Sequence, residues 1–105
     1  MLLDECLPRR LGAVLGPHTV STVPQAGWAG VTNGDLLARI GVSYDAFITV
    51  DKNLPAQQSI GALAFGLIVL RAPSNRLEML APLAPQILAA LATLRPGQVV
   101  VISGP

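Results

Sequence analysis

The chain has few charged residues, and this scarcity limits the functions open to it. Asp, Glu, Lys and Arg make up only 12% of its 105 residues, and the formal net charge is +1. Such a chain lacks the diffuse positive field that drives non-specific binding of nucleic acid, so any contact with nucleic acid has to be local. Hydrophobic residues make up 51%, which is enough apolar surface to offset the entropy of folding and excludes an intrinsically disordered chain.

Cysteine and long apolar runs are also scarce. Cys6 is the only cysteine, which excludes an internal disulfide and a zinc site of several thiolates, and agrees with a reducing compartment. The longest apolar stretch, Ile60–Leu70, is too short to span a bilayer. Asp4 stands where a secretory leader carries positive charge. We therefore expect a soluble, cytoplasmic protein with no membrane partner, and the low surface charge favours a homodimer.

Apolar runs of strand length alternate with segments of helical period. A chain of this length predicts a single domain over residues 1–105. Strands and helices in this alternation predict a three-layer α/β/α sandwich around a mainly parallel sheet of about five strands. Two of these runs, DAFITV and AFGLIVL, do not alternate polar with apolar residues, as is typical of strands covered on both faces. The predicted strands are MLL, HTVSTV, DAFITV, AFGLIVL and QVVVIS.

Local signals predict where the first helix begins and which side of it is buried. Pro8 is a favoured first helical residue, and Leu11, Val14 and Leu15 fall on one helical face. Gly16 begins the Gly-Pro pair that ends the helix.

The other helices have comparable signals. The segment TNGDLLARIG predicts a short helix in which Thr32 caps the N-terminus and Asp35 is its capping-box partner. Asn75 and Glu78 show the same spacing at the start of the last helical region. The prolines of APLAP predict a short turn of helix, a bend and a second helix. One face of that second helix carries Leu83, Ile87, Leu91 and Leu94.

Several carboxylates fall where strands end. Asp4 closes the first strand with Glu5 beside it, Asp51 closes the third strand, and Asp35 lies in the first turn of the second helix. Sites in open parallel sheets lie beyond the carboxyl ends of the strands. If the first and third strands are neighbours, their ends lie about 5 Å apart. Converging carboxylates suit a hard cation such as Mg²⁺ or Mn²⁺.

Each acid also has a purely structural alternative. Asp4 or Glu5 alone could interact with the dipole of the following helix. Asp35 could serve only as a capping partner, and Asp51 could form an Asx turn within DKN. Asp45 is interpreted as a turn residue at the start of a strand.

Four segments together resemble a known family. LLDECLPRRL, TVPQAGWAGVTNGDLL, FITVDKNLPAQQ and IVLRAPSNRLEMLAPLAPQILAAL are similar to the small PIN-like proteins, compact relatives of the PIN-domain ribonuclease toxins of bacterial toxin–antitoxin pairs. The resemblance covers nearly the whole chain. It implies a hydrolase that cleaves single-stranded RNA by metal-activated water at a magnesium or manganese site, and a possible antitoxin protein as partner.

The resemblance also implies roles for individual residues. Asp4, Asp35 and Asp51 correspond to the catalytic, metal-binding acids, and Glu5 to a supporting metal ligand. Thr49 matches the threonine of the T-x-D motif.

One position departs from the family pattern. Asn53 stands where many relatives carry another acid. An amide oxygen can coordinate a cation but brings no charge, so metal affinity should fall. The alternative reading is therefore a catalytically degenerate PIN-like module that binds RNA or a protein partner. In a third reading the apolar surface marks a dimer or antitoxin interface.

The candidate RNA contacts are few. Arg9, Arg10 and Lys52 lie near the proposed acids and could meet phosphates, although solvated charges are the commoner role for such residues. Trp28 could stack on a base, or pack against its own domain or a partner.

Overall fold

The computed structural model describes residues 1–4, 6–8, 10–15, 20–28, 30, 33–50, 64–72 and 76–103. In this part of the chain five strands form one sheet, and every neighbouring pair is parallel. The strands are β1 (Leu2–Leu3), β2 (Ser21–Thr22), β3 (Ala46–Thr49), β4 (Gly66–Arg71) and β5 (Val99–Ser103). Their order across the sheet is β2-β1-β3-β4-β5, an order common among doubly wound sheets.

Helices cover both faces of this sheet. They are α1 (Leu11–Val14), α2 (Asn33–Ser43), α3 (Leu77–Leu80), a 3₁₀ turn (Ala81–Leu83) and α4 (Ala84–Thr93). None of the helices among the described residues combines the length and apolarity that a membrane crossing requires.

Two hydrophobic clusters, one on each face, hold the layers together. Successive strand residues point to opposite faces, so Leu2 and Leu3 belong to different clusters, as do Phe47 and Ile48. The first cluster joins the sheet to α1, α3 and α4, and its buried members are Leu3, Leu7, Leu11, Leu15, Ile48, Ile68, Leu70, Leu80, Leu83, Ala84, Ile87 and Ile102. The second joins it to α2, through Leu2, Val23, Leu36, Leu37, Ile40, Phe47, Phe65, Leu67 and Val69. The predicted three-layer α/β/α sandwich is therefore confirmed.

The interior strands are buried on both faces, as predicted. All four residues of β3 and the first five of β4 are buried. Burying one such Leu, Ile or Phe side chain stabilises a fold by about 1.5–3 kcal/mol. The buried centre of the sheet thus supports the ends of β1, β3 and β4.

The start of α1 differs from the prediction. The helix begins at Leu11 rather than Pro8, and the Leu11 N–H donates to the Pro8 carbonyl at 3.0 Å in a preceding turn. Leu11 and Leu15 are buried, but Val14 is 39% exposed. At 100° per residue Val14 is rotated about 100° from Leu15, so it falls at the margin of the buried stripe.

The capping position of α3 differs from the prediction, and the predicted cap of α2 lies outside the described residues. At the N-terminus of α3 the capping position is Arg76, which makes no side-chain capping bond. Glu78 lies in the first turn and forms an exposed ion pair with Arg76 at 3.5 Å. Asn75 and Thr32 lie outside the described residues. Helix α2 continues to Ser43, two residues beyond the predicted end.

The end of the chain follows the prediction more closely. Two helices separated by the 3₁₀ turn replace one continuous helix, because Pro82 cannot donate to a helical ladder. Leu83 and Ile87 are buried, and Leu91 and Leu94 pack against the same cluster. Gly97 takes a φ of 79° in the turn before β5, a conformation that favours glycine.

Candidate functional site at the carboxyl ends of β1 and β3

The strand order creates a crevice between β1 and β3. Leu3 pairs with Ile48, so the carboxyl ends of these two strands lie side by side. From β1 the chain proceeds to β2 on one side of the sheet, whereas β4 follows β3 on the other side. The β1–β3 pair is therefore the point at which the strand order reverses, which is the usual location of binding sites in such sheets. The sequence-based expectation required that these strands be neighbours, and they are.

Asp4 is held by its backbone at the edge of this crevice. Its N–H donates to the Ile48 carbonyl at 2.9 Å, which extends the pairing of β1 with β3 by one residue. Its carbonyl accepts from the Leu7 N–H at 3.0 Å, closing a four-residue turn in which Asp is favoured at the first position. The backbone thus fixes the point at which the Asp4 side chain leaves the sheet.

The Asp4 carboxylate is oriented by Thr49. The Thr49 hydroxyl donates to Asp4 Oδ2 at 2.6 Å, a length typical of a hydrogen bond to an ionised acceptor. Thr49 is fully buried at the end of β3, and Asp4 is half-buried. A buried donor in a rigid strand restricts the rotation of the carboxylate. This contact joins two of the residues that the sequence placed in the site, across 45 positions of the chain.

A third side chain, Cys6, lies at the same point. Burial raises the pKa of the Cys6 thiol, and the Asp4 carboxylate raises it further, while hydrogen bonds with the Val50 backbone and the Thr49 side chain act in the opposite direction. The result is a thiol that stays protonated near neutral pH, and the thiolate is the nucleophilic form. The sequence patterns did not place Cys6 in the site, although its position two residues after Asp4 could have suggested proximity.

The loop beyond β2 borders the crevice on the other side of β1. The Thr22 N–H donates to Gln25 Oε1 at 3.0 Å, and the Gln25 N–H donates to Thr22 Oγ1 at 3.2 Å. Each backbone donor is satisfied by the other side chain, in the manner of a capping box. This reciprocal pair fixes the start of the loop that leads to Trp28.

The other acids differ in where the structure places them. Asp35 lies in the first turn of α2 with an exposed side chain. Asp45, predicted as a turn residue, is exposed in the bend before β3, and its carbonyl accepts from the Gly66 N–H at 3.0 Å. The predicted site residues that lie outside the described part of the chain are Glu5, Arg9, Asp51, Lys52 and Asn53.

Two predicted RNA contacts are described. Arg10 is exposed at the capping position of α1, at the same edge of the sheet as Asp4. Trp28 is half-buried against the cluster beneath α2, and its ring meets Tyr44 edge-to-face, with centroids 6.0 Å apart and an interplanar angle of 89°. This geometry is favourable for an aromatic pair, so packing within the domain accounts for Trp28. Base stacking by Trp28 stays a prediction.

The described donor set is compatible with a cation but does not complete a site. The described residues contain no group of three His, Cys, Asp or Glu side chains placed to hold a metal ion. Asp4 supplies one carboxylate of the oxygen type that Mg²⁺ and Mn²⁺ prefer. The other ligands predicted at this edge, Glu5 and Asp51, are outside the described residues.

No family model matches the chain, and no match to it is found among curated proteins or solved structures.

Proposed function

We propose that the chain is a metal-dependent ribonuclease of the PIN-like type, the toxin of a toxin–antitoxin pair, which cleaves single-stranded RNA. The observation that supports it is the Asp4–Thr49 hydrogen bond at the crevice between β1 and β3. Carboxylates that bind metals are commonly oriented by a hydrogen bond of this kind. The four sequence segments that resemble the family supply the rest of the proposed site.

In this proposal the residues divide the work by their chemistry. Asp4, with Glu5, Asp35 and Asp51, would hold Mg²⁺ or Mn²⁺, which lowers the pKa of a bound water and neutralises charge on the scissile phosphate. Thr49 holds the Asp4 carboxylate in one orientation. Burial raises the pKa of the neighbouring Cys6 thiol in the metal-free protein, and the proposal gives this thiol no part in the chemical step.

The direct test is cleavage of a 5′-labelled single-stranded RNA with Mn²⁺ or Mg²⁺. We expect the wild type to cut, and Asp4→Asn and an EDTA control to reduce cleavage to background. Asp45→Asn is the matched control, since Asp45 is an exposed acid at the opposite edge of the sheet. A folded wild type that cuts no faster than Asp4→Asn in either metal, on several RNAs, would remove the catalytic proposal.

The toxin role has its own experiment. Induced expression of the wild type in bacteria is expected to arrest growth, whereas expression of Asp4→Asn is not. Equal growth with both proteins, at equal protein levels, would contradict a toxin that acts through this site.

The proposed homodimer is tested by light scattering, and a strict monomer at micromolar concentration would count against it.

Asn53 favours a second candidate function. Asn53 brings no charge at a position where many proteins of the resembled family carry an acid, so metal affinity should fall, and the crevice could serve to bind RNA without cleaving it. The same cleavage assay separates the two functions when it is run beside a binding titration. Binding without cleavage, unchanged by EDTA, would identify the degenerate binding module.

A further inference from the structure

Arg71 lies at the same edge of the sheet as the Asp4–Thr49 pair. It is the last residue of β4, and its side chain is exposed. Val69 of β4 pairs with Thr49 of β3, and Arg71 pairs with Ser103 of β5. Arg71 is therefore two residues further toward the carboxyl end than the position opposite Thr49. With strands about 4.8 Å apart and about 3.3 Å per residue, the Cα atoms of Thr49 and Arg71 are separated by about 8 Å.

Strand alternation also places Arg71 and Thr49 on one face. Residues two apart in a strand share a face. Val69 and Phe47 both belong to the cluster beneath α2, so Arg71, two residues after Val69, and Thr49, two residues after Phe47, emerge on that same side. Arg71 thus stands beside the crevice on the face where Thr49 meets Asp4.

The charge of Arg71 is not neutralised by the described part of the chain. The ion pair seen there joins Arg76 to Glu78, and the side chain of Arg71 has no ion-pair or hydrogen-bond partner among the described residues. The proposed carboxylate site would repel the phosphates of RNA, and an exposed arginine whose Cα lies about 8 Å from that of Thr49 would offset that repulsion. Arginine suits the task because its planar fork can donate two parallel hydrogen bonds to one phosphate.

We propose that Arg71 binds a phosphate of the RNA strand next to the one that is cleaved. The inference rests on the proposed ribonuclease function and adds a binding residue at the end of β4 that the sequence patterns did not single out. Arg71 positions the strand in the crevice and takes no part in the chemical step.

The experiment is a fluorescence-anisotropy titration of a labelled single-stranded RNA in Ca²⁺, repeated at several KCl concentrations. The variants are Arg71→Gln and Arg71→Lys. Arg95→Gln is the matched control, because Arg95 is an exposed arginine in the turn before β5, at the opposite edge. Circular dichroism confirms that each variant is folded.

We expect Arg71→Gln to weaken binding roughly tenfold and to reduce the slope of log K against log[KCl] by about 0.7, the loss of one single-strand phosphate contact. Arg71→Lys should keep the slope and lose part of the affinity, because it retains the charge without the fork. Arg95→Gln should match the wild type.

Three results would overturn the inference. Arg71→Gln could bind RNA with the wild-type affinity and slope while the wild type cleaves RNA, in which case Arg71 is not a phosphate contact although the nuclease proposal stands. A changed metal requirement with an unchanged salt slope would assign Arg71 to the acidic cluster instead. A folded wild type that neither binds nor cleaves RNA would remove both the inference and the proposed function.

Discussion

Replacing Gly66 with Ala should destabilise the protein because the new methyl group has no space. A Cβ built on Gly66 lies closer than 3.0 Å to three atoms of the Leu94 side chain. The backbone itself is not the obstacle, since Gly66 is absent from the described glycines with positive φ. Overpacking of this kind costs about 1–3 kcal/mol, while Ala in place of Gly restores about 0.5–1 kcal/mol through lower freedom of the unfolded chain. The expected net loss is about 1–2 kcal/mol, or roughly 4–9 °C in Tm for a chain of 105 residues.

A double-mutant cycle with Leu94→Ala tests the cause. Leu94→Ala removes the atoms that crowd Gly66, so in that background Gly66→Ala should be neutral or stabilising by up to about 1 kcal/mol. Urea unfolding, followed by circular dichroism, gives the four free energies of unfolding, and the coupling should be about 2 kcal/mol. Gly66→Ala costing the same free energy in both backgrounds would refute the steric explanation.

The remaining predictions concern the crevice and the aromatic pair. Thr49→Val should fold but lower the RNA cleavage rate about 10- to 100-fold, because the group that orients Asp4 is lost; Thr49→Ser should retain most activity, and equal rates for both variants would contradict the positioning role. Iodoacetamide should modify Cys6 in the folded, metal-free protein with a pH midpoint above the ordinary thiol value of 9.0, because burial raises the pKa of the thiol, and the midpoint should fall toward that value in urea. The same rise in the pKa of Cys6 predicts a contribution to the free energy of unfolding that is fully present below pH 9.0 and is lost as the pH rises further. The wild type should therefore lose stability more steeply above pH 9.0 than Cys6→Ala does. Trp28→Ala should lower the free energy of unfolding by about 2 kcal/mol, less than for a fully buried aromatic, whereas Trp28→Phe should keep most of the contact with Tyr44; an unchanged urea midpoint for Trp28→Ala would contradict the packing role.

The architecture was predictable because the apolar pattern reports burial directly. Segments such as AFGLIVL have no polar alternation, and the structure buries β4 on both faces. The prolines of APLAP remove backbone donors at fixed places, so the break between α3 and α4 could be located in advance. In both cases the residues of the segment itself determine its structure.

The contacts at the crevice were harder to predict, because they depend on which strands become neighbours. No local pattern places β1 beside β3. The approach of the ends of these strands could therefore be expected only if the strands proved to be neighbours. Arg71 was not considered for the same reason, because its place beside the crevice follows from the register of β4 against β3. Val14 was misassigned since a four-residue helix has too few turns to define its buried stripe from sequence.

The pairing of β1 with β3, which is made much later in the chain, has a consequence for timing during synthesis. Leu2 and Leu3 lie between β2 and β3, yet the Asp4–Thr49 contact spans 45 residues of chain. At about 5–20 residues per second on the ribosome, synthesis from Asp4 to Thr49 takes roughly 2–9 s. The Asp4–Thr49 contact therefore cannot form on a short nascent chain, and the crevice is complete only after the segment through β3 has left the ribosome.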